Sequence, residues 1–146
     1  MAQNNSDLFL TMGAVHRGTS DWVRTNLSGK GRHSVLSLSI LKYLDENNGI
    51  AQGELGLVLR RDPMTMSQAI RALQGNGLIT SQTDKEDKRI KRLSLTKKGA
   101  SLAKSIKSTE DKFLAALTKK WGKTRVNKLV KDIEDMNLFL NEFLET

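Results

Sequence analysis

Residues 84–92 read DKEDKRIKR, with five cations and three carboxylates in nine positions. Cations at this density suit a polyanion. The carboxylates among them need a separate reason, because they repel phosphate. Asp87 lies two residues before Arg89, and a carboxylate so placed can hold a guanidinium by a charge-assisted bond and aim it. An aimed arginine is what a narrow minor groove of DNA attracts, because its negative potential is enhanced. Lys85, Lys88 and Lys91 add positive charge around that pair. Asp84 and Glu86 have solubility as their plain reading, Glu86 most clearly. A second set lies upstream. Gln68 and Arg71 stand about one turn apart on an expected helix, and glutamine and arginine match the major-groove edges of adenine and guanine. Met64 shares their face. Thr65 and Ser67 are shorter and suit phosphate oxygens. Arg60, Arg61 and Arg92, with Lys91, are further phosphate candidates.

Other chemistries lack their parts. The chain has no cysteine, and its two histidines, His16 and His33, lie seventeen residues apart on different elements. A metal site would need carboxylates that no spacing supplies, and no serine sits in a nucleophile-elbow pattern. The expectation is a protein that is not an enzyme, with no metal and no cofactor. The formal net charge is +8, and a basic chain prefers polyanions. The excess is concentrated: residues 60–99 carry ten Lys/Arg and four Asp/Glu, whereas residues 131–146 carry one lysine and five acids. Such a stripe is a stronger nucleic-acid signal than a diffuse excess. The N-terminus lacks the pattern of a signal peptide, and no apolar run is long enough to span a membrane. A soluble cytoplasmic protein without membrane association is expected, and 146 residues suit a single domain.

The elements that must position these residues are legible from apolar spacing. A first helix over 8–27 aligns Leu8, Met12, Val15, Thr19, Trp22 and Val23 along one face, and SGKG at 28–31 turns the chain. SVLSLSILKYL at 34–44 alternates like a strand, but Leu36, Ile40, Leu41 and Leu44 also fit a helix. The helix is preferred because the pattern runs on to Leu44 and ENNG then ends it. A short helix over 52–61 turns Leu55, Val58 and Leu59 inward. Asp62 caps the next helix and Pro63 occupies its first position. Met66, Ala69, Ile70 and Leu73 form the buried stripe of that helix, and Met64, Gln68, Arg71 and Gly75 the outer face. Two short helices joined so tightly form a helix-turn-helix. Strands over 76–83 and 90–96 follow, with Leu93 and Leu95 on one face, and the charged run is the tip between them. Thr96 caps a long helix with Leu102, Ile106, Phe113 and Leu117 inward. A break near Trp121-Gly122 precedes a last helix bearing Val126, Leu129, Val130, Ile133, Leu140, Phe143 and Leu144. The fold class expected is mainly α with a small β-hairpin wing: a winged helix-turn-helix over 34–96, flanked by helical dimerisation regions over 1–33 and 97–146. The apolar faces of the long terminal helices suggest a twin subunit.

At this level the sequence resembles the MarR family of bacterial transcription regulators. The wing of that family commonly reads D-P-x-D-R-R, then a strand, then L-T-x-K-G. Asp84, Asp87 and Arg89 match; Lys85 replaces the proline and Lys88 the first arginine; LTKKG at 95–99 matches in full. Glu54-Leu55, Thr65, Ser67, Leu73 and GLI at 77–79 also look like the family's helix pair. Two positions depart from it. Met64 stands where a small polar residue is usual, and Arg71 replaces an acidic one, so the DNA sequence read can differ from the common family site.

The resemblance implies a homodimer built from N- and C-terminal helices. It implies two recognition helices in successive major grooves of an inverted-repeat operator and two wings in the flanking minor grooves. Many members repress a promoter and release it on binding a small, often aromatic ligand, in a cavity between the first helices and the winged region. Met12, His16, Trp22 and His33 are the candidates to line it; dimer core is the other reading of Met12 and Trp22. Two rival functions stay open, a winged-helix protein-interaction module and a non-specific architectural DNA-binding protein. A docking module would expose an apolar patch where this chain carries base-reading and basic side chains.

Overall fold

The alternating serines of residues 34–44 resolve as a helix. A computed structural model, which describes residues 5–27 and 33–145, has α2 over Val35–Glu46, capped by Ser34, whose side chain accepts from the Ser37 backbone N–H at 3.1 Å. Ile40, Leu41 and Leu44 are fully buried and Leu36 packs against them. The serines that imitated a strand are absorbed locally, since Ser39 donates to the Val35 carbonyl one turn back.

Helix α1 spans Asn5–Asn26, β1 Ile50–Ala51, α3 Gln52–Val58, α4 Pro63–Gly75, β2 Ile79–Thr83, β3 Lys91–Leu95, α5 Lys97–Trp121 and α6 Lys123–Glu145. Three antiparallel strands lie in the order β1-β3-β2, with Ile50 opposite Leu93 and Ser81 also opposite Leu93 on the other side. The hairpin expected from sequence is therefore the outer part of a three-stranded sheet. Its third strand has two residues, too few to show a period. The turn expected at 28–31 lies outside the described residues.

The chain divides into two compact units, up to Thr109 and from Glu110. The core of the first gathers Leu38, Ile40, Leu41 and Leu44 from α2, Leu55 from α3, Met66, Ile70 and Leu73 from α4, Leu93 from β3, and Leu102 and Ile106 from α5. Val23 and Leu27 pack on it from α1 and just beyond its end, whereas Leu8, Met12 and Val15 are exposed. Helix α3 stops at Val58, three residues short of the expected end. Arg60 adopts a left-handed φ of 50° in the tight turn to α4, so the inward face is shortened: Leu55 is buried, Leu59 half-buried and Val58 exposed, not inward.

The start of α5 explains LTKKG. Thr96 Oγ1 accepts from the Gly99 N–H at 3.0 Å and donates to the Gly77 carbonyl at 2.6 Å, while the Thr96 N–H donates to the Leu78 carbonyl. A Cβ on Gly99 would overlap that same Leu78 carbonyl. Only glycine lets the helix start this close to β2.

In the second unit, Gly122 takes a φ of 82° and breaks the helix at the expected place. Val126 is buried and Phe113, Leu117, Leu129 and Leu140 are half-buried. Val130, Ile133, Leu138, Phe139, Phe143 and Leu144 are exposed, with Phe139 and Phe143 stacked at 5.7 Å between centroids. Among the described residues no helix is long and apolar enough to cross a membrane.

Candidate nucleic-acid interface

Helix α4 buries Met66, Ile70 and Leu73 against α2 and α3, which turns positions 64, 68 and 71 outward. Its N-terminus is fixed by Asp62, which accepts from the Thr65 N–H at 2.9 Å and from the Thr65 hydroxyl at 2.6 Å. The Thr65 hydroxyl holds the Asp62 carboxyl below its ordinary pKa, with the Thr65 N–H adding to the effect. Ser67 accepts from Gln52 Nε2 at 3.3 Å, which ties α4 to α3. The two short side chains of the face therefore serve the helix ends first. Thr65 in particular has its only proton engaged by a carboxylate. Gln68 and Arg71 are exposed and make no hydrogen bond or ion pair among the described residues. Met64, beside them, is 72% exposed.

The wing tip is built by its two aspartates. Asp84 accepts from the backbone N–H groups of Glu86 and Asp87, each at 2.9 Å, and from Arg92 Nε. These donors hold its pKa down to about 2, the Asp87 N–H contributing most and the Arg92 guanidinium next. Arg92 also donates to the Gly49 carbonyl at 3.2 Å. It thus clamps the tip to the turn before β1, whose Gly49 N–H in turn donates to Leu93 and whose Asn48 side chain accepts from the Leu95 N–H. Asp87 takes the Arg89 guanidinium as a fork: Nε donates to Oδ1 at 3.0 Å and Nη2 to Oδ2 at 2.9 Å, with the Arg89 backbone N–H also on Oδ1. The Arg89 side chain is nevertheless 90% exposed. Its fork lowers the Asp87 pKa and raises that of Arg89. Lys91 donates to Thr83 across the ladder at 2.6 Å. Lys85 and Lys88 are exposed beside the fork.

Sequence reasoning missed two of these residues. Solubility is the plain reading of Asp84 in the sequence and a phosphate contact that of Arg92; in the structure they are partners in the brace of the wing. The readable signal was an aspartate followed two and three residues on by further turn residues, the pattern by which a carboxylate closes a tight loop on backbone N–H groups. The reach of Arg92 to Gly49 depends on β1 and had no sequence signal.

The four residues expected to line a ligand cavity differ in exposure. Met12 and His16 are exposed on α1, and Trp22 and His33 are half-buried. A separate cleft of about 470 Å³ lies beside the wing, lined by Gln52, Leu57, Arg61, Met66, Arg89 and Ile90 among others. Among the described residues no three His, Cys, Asp or Glu side chains are grouped to hold a metal.

A capped helix turned outward from a three-helix core, next to a braced hairpin of a three-stranded sheet, defines a winged helix-turn-helix. Residues 34–91 match the MarR family model, and the chain has the winged-helix fold of MarR transcription regulators. A MarR transcriptional regulator from Methanosarcina mazei Go1 superposes with a TM-score of 0.84 at 22% identity, covering 97% of this chain and 99% of that one. FabT of Streptococcus pneumoniae, solved in complex with DNA, gives 0.80 at 15% identity over 96% and 99%. A SlyA-like transcription regulator from Listeria monocytogenes gives 0.73 at 25% identity over 97% and 91%. No curated protein sequence matches the chain.

Proposed function

We propose that the protein is a dimeric, sequence-specific DNA-binding transcription regulator of the cytoplasm, a repressor released by a small aromatic or anionic effector, and not an enzyme. The observation that carries this reading is the pairing of two surfaces in one unit. Gln68 and Arg71 are exposed on α4 without partners among the described residues, and Arg89 is held out from the wing by Asp87. Gln68 and Arg71 read base edges in the major groove, with Met64 on the same face. Arg89 enters the adjacent minor groove, with Lys85, Lys88 and Lys91 near the backbone phosphates. Ser67 is a secondary phosphate contact, and so is Thr65 once its hydroxyl turns from Asp62 to a phosphate oxygen.

The 34–96 region is the DNA-binding part and the flanking helices the dimerisation part. The exposed apolar residues of α1 and α6 support a second copy as their cover, since a monomer would leave Phe139 58% and Phe143 64% exposed in water. Structural similarity to FabT and to Staphylococcus aureus MepR, both solved with DNA, supports the nucleic-acid partner. Effector release has two candidate seats, the residues Met12, His16, Trp22 and His33, or the cleft beside Arg89.

Selection of bound duplexes from a random pool tests the reading. An enriched inverted repeat with half-site centres about one helical turn apart is expected. No enrichment over the starting pool would reject sequence-specific binding, and a single unrepeated site would reject the two-fold reader. Repeating the selection with aromatic carboxylates present tests release.

A further inference from the structure

We infer that Met64 is a specificity-determining residue that reads the C5-methyl group of a thymine in the major groove. The inference rests on the DNA-binding reading above. Positions 64, 68 and 71 are spaced four and three residues apart, so their side chains form one outward stripe on α4. On that stripe Met64 is apolar and 72% exposed, in the first turn of the helix. The neighbouring short polar side chains are half-buried, Thr65 giving its proton to Asp62 and Ser67 accepting from Gln52. Three side chains therefore remain for the bases: one apolar, one amide and one guanidinium.

Base edges in the major groove offer hydrogen-bond donors and acceptors, and one apolar group, the thymine methyl. Gln68 and Arg71 answer the polar pattern. Met64 has nothing to offer it, since a thioether is only a weak acceptor. Its match is the methyl, and its unbranched, polarisable chain adapts to such a contact. The N-terminal residues of a recognition helix are the ones that reach base edges, and Asp62 fixes that end of α4 in place. The net charge of +6 over residues 60–99 brings the phosphate backbone to this face, so the surface that meets Met64 is a duplex groove.

The test replaces thymine by deoxyuridine, which removes only the methyl. Wild-type protein selects its operator from a random pool, and each thymine of one half-site is then replaced in turn. Binding by wild type should weaken roughly fourfold at one thymine, the factor for burying one methyl group. Met64→Ser should show no loss at that position and unchanged losses elsewhere, whereas Met64→Leu should keep the loss. Because Met64 is exposed, both variants should melt as wild type does. A half-site without thymine, a wild type indifferent to every replacement, or an equal loss in Met64→Ser overturns the inference while leaving DNA binding intact. Failure to select any sequence overturns both.

Discussion

Asp87 grips Arg89 with both carboxylate oxygens, at 3.0 and 2.9 Å, yet leaves the arginine side chain 90% exposed. The fork occupies Nε and one N–H of Nη2. A guanidinium has five N–H donors, so three remain, and they are held in one plane at the hairpin tip. Two surface residues in water would gain little from this pairing. The proposed use of the fork is to aim the free donors.

That geometry separates two models of the wing. If Arg89 only adds charge, Arg89→Lys should be nearly silent. If it is aimed, lysine cannot replace it, because the planar fork is lost. Arg89→Lys should cost operator affinity about 1.5 kcal/mol, the scale of a hydrogen bond to a charged group. Asp87→Ala makes the wing more positive, so simple electrostatics predicts tighter binding and a steeper salt dependence. The aimed wing predicts weaker binding to the operator. Titration of both variants at two salt concentrations distinguishes them.

The brace beneath the tip has its own titration. The carboxyl of Asp84 sits at about 2 against an ordinary 3.8. A depressed pKa contributes order that is fully present above the ordinary value and is lost as pH falls through the lowered one. The Asp84 contribution should therefore be intact above about pH 4 and disappear toward pH 2. Carboxyl chemical shifts should give the midpoint near 2. In Arg92→Gln the midpoint should rise but stay below 3.8, because the largest cause is the Asp87 N–H. A midpoint at the ordinary value in wild type would show that the brace is not formed in solution.

Gly99→Ala tests the junction of wing and helix. Alanine is ordinarily favoured over glycine inside a helix by about 1 kcal/mol. Here the added methyl meets the Leu78 backbone carbonyl, and backbone cannot step aside as a flexible side chain can. Net destabilisation of about 2 kcal/mol is expected in denaturant unfolding. A gain in stability would mean that α5 does not start this close to β2.

Truncation after Met136 removes Leu138, Phe139, Phe143 and Leu144, exposed apolar residues of α6. Sedimentation of the shortened protein should show monomers or aggregates without operator binding. A truncated dimer that still binds DNA would refute the assignment of these residues to the dimer interface.

The helices were legible because their buried stripes are regular: Met66, Ile70 and Leu73 on α4, Leu102 and Ile106 on α5. The strands flanking the charged tip were legible because Gly77 and the tip residues punctuate them. Strand β1 was not, since two residues carry no pattern and their pairing with β3 is set by chain distant in sequence. The Asp87–Arg89 pairing is local and could be read from spacing. The reach of Arg92 to Gly49 spans 43 residues and required the fold. Exposure defeated the expectation for Val58, where the left-handed turn at Arg60 ends the helix early.

The central claim is that α4 and the wing read a particular DNA sequence. The most direct measurement is the affinity for the selected operator against a random duplex of equal length, at one fixed physiological salt concentration. Operator binding tighter by about a thousandfold or more is predicted. Equal affinity for the two duplexes would contradict the account and leave a basic surface that holds DNA without reading it.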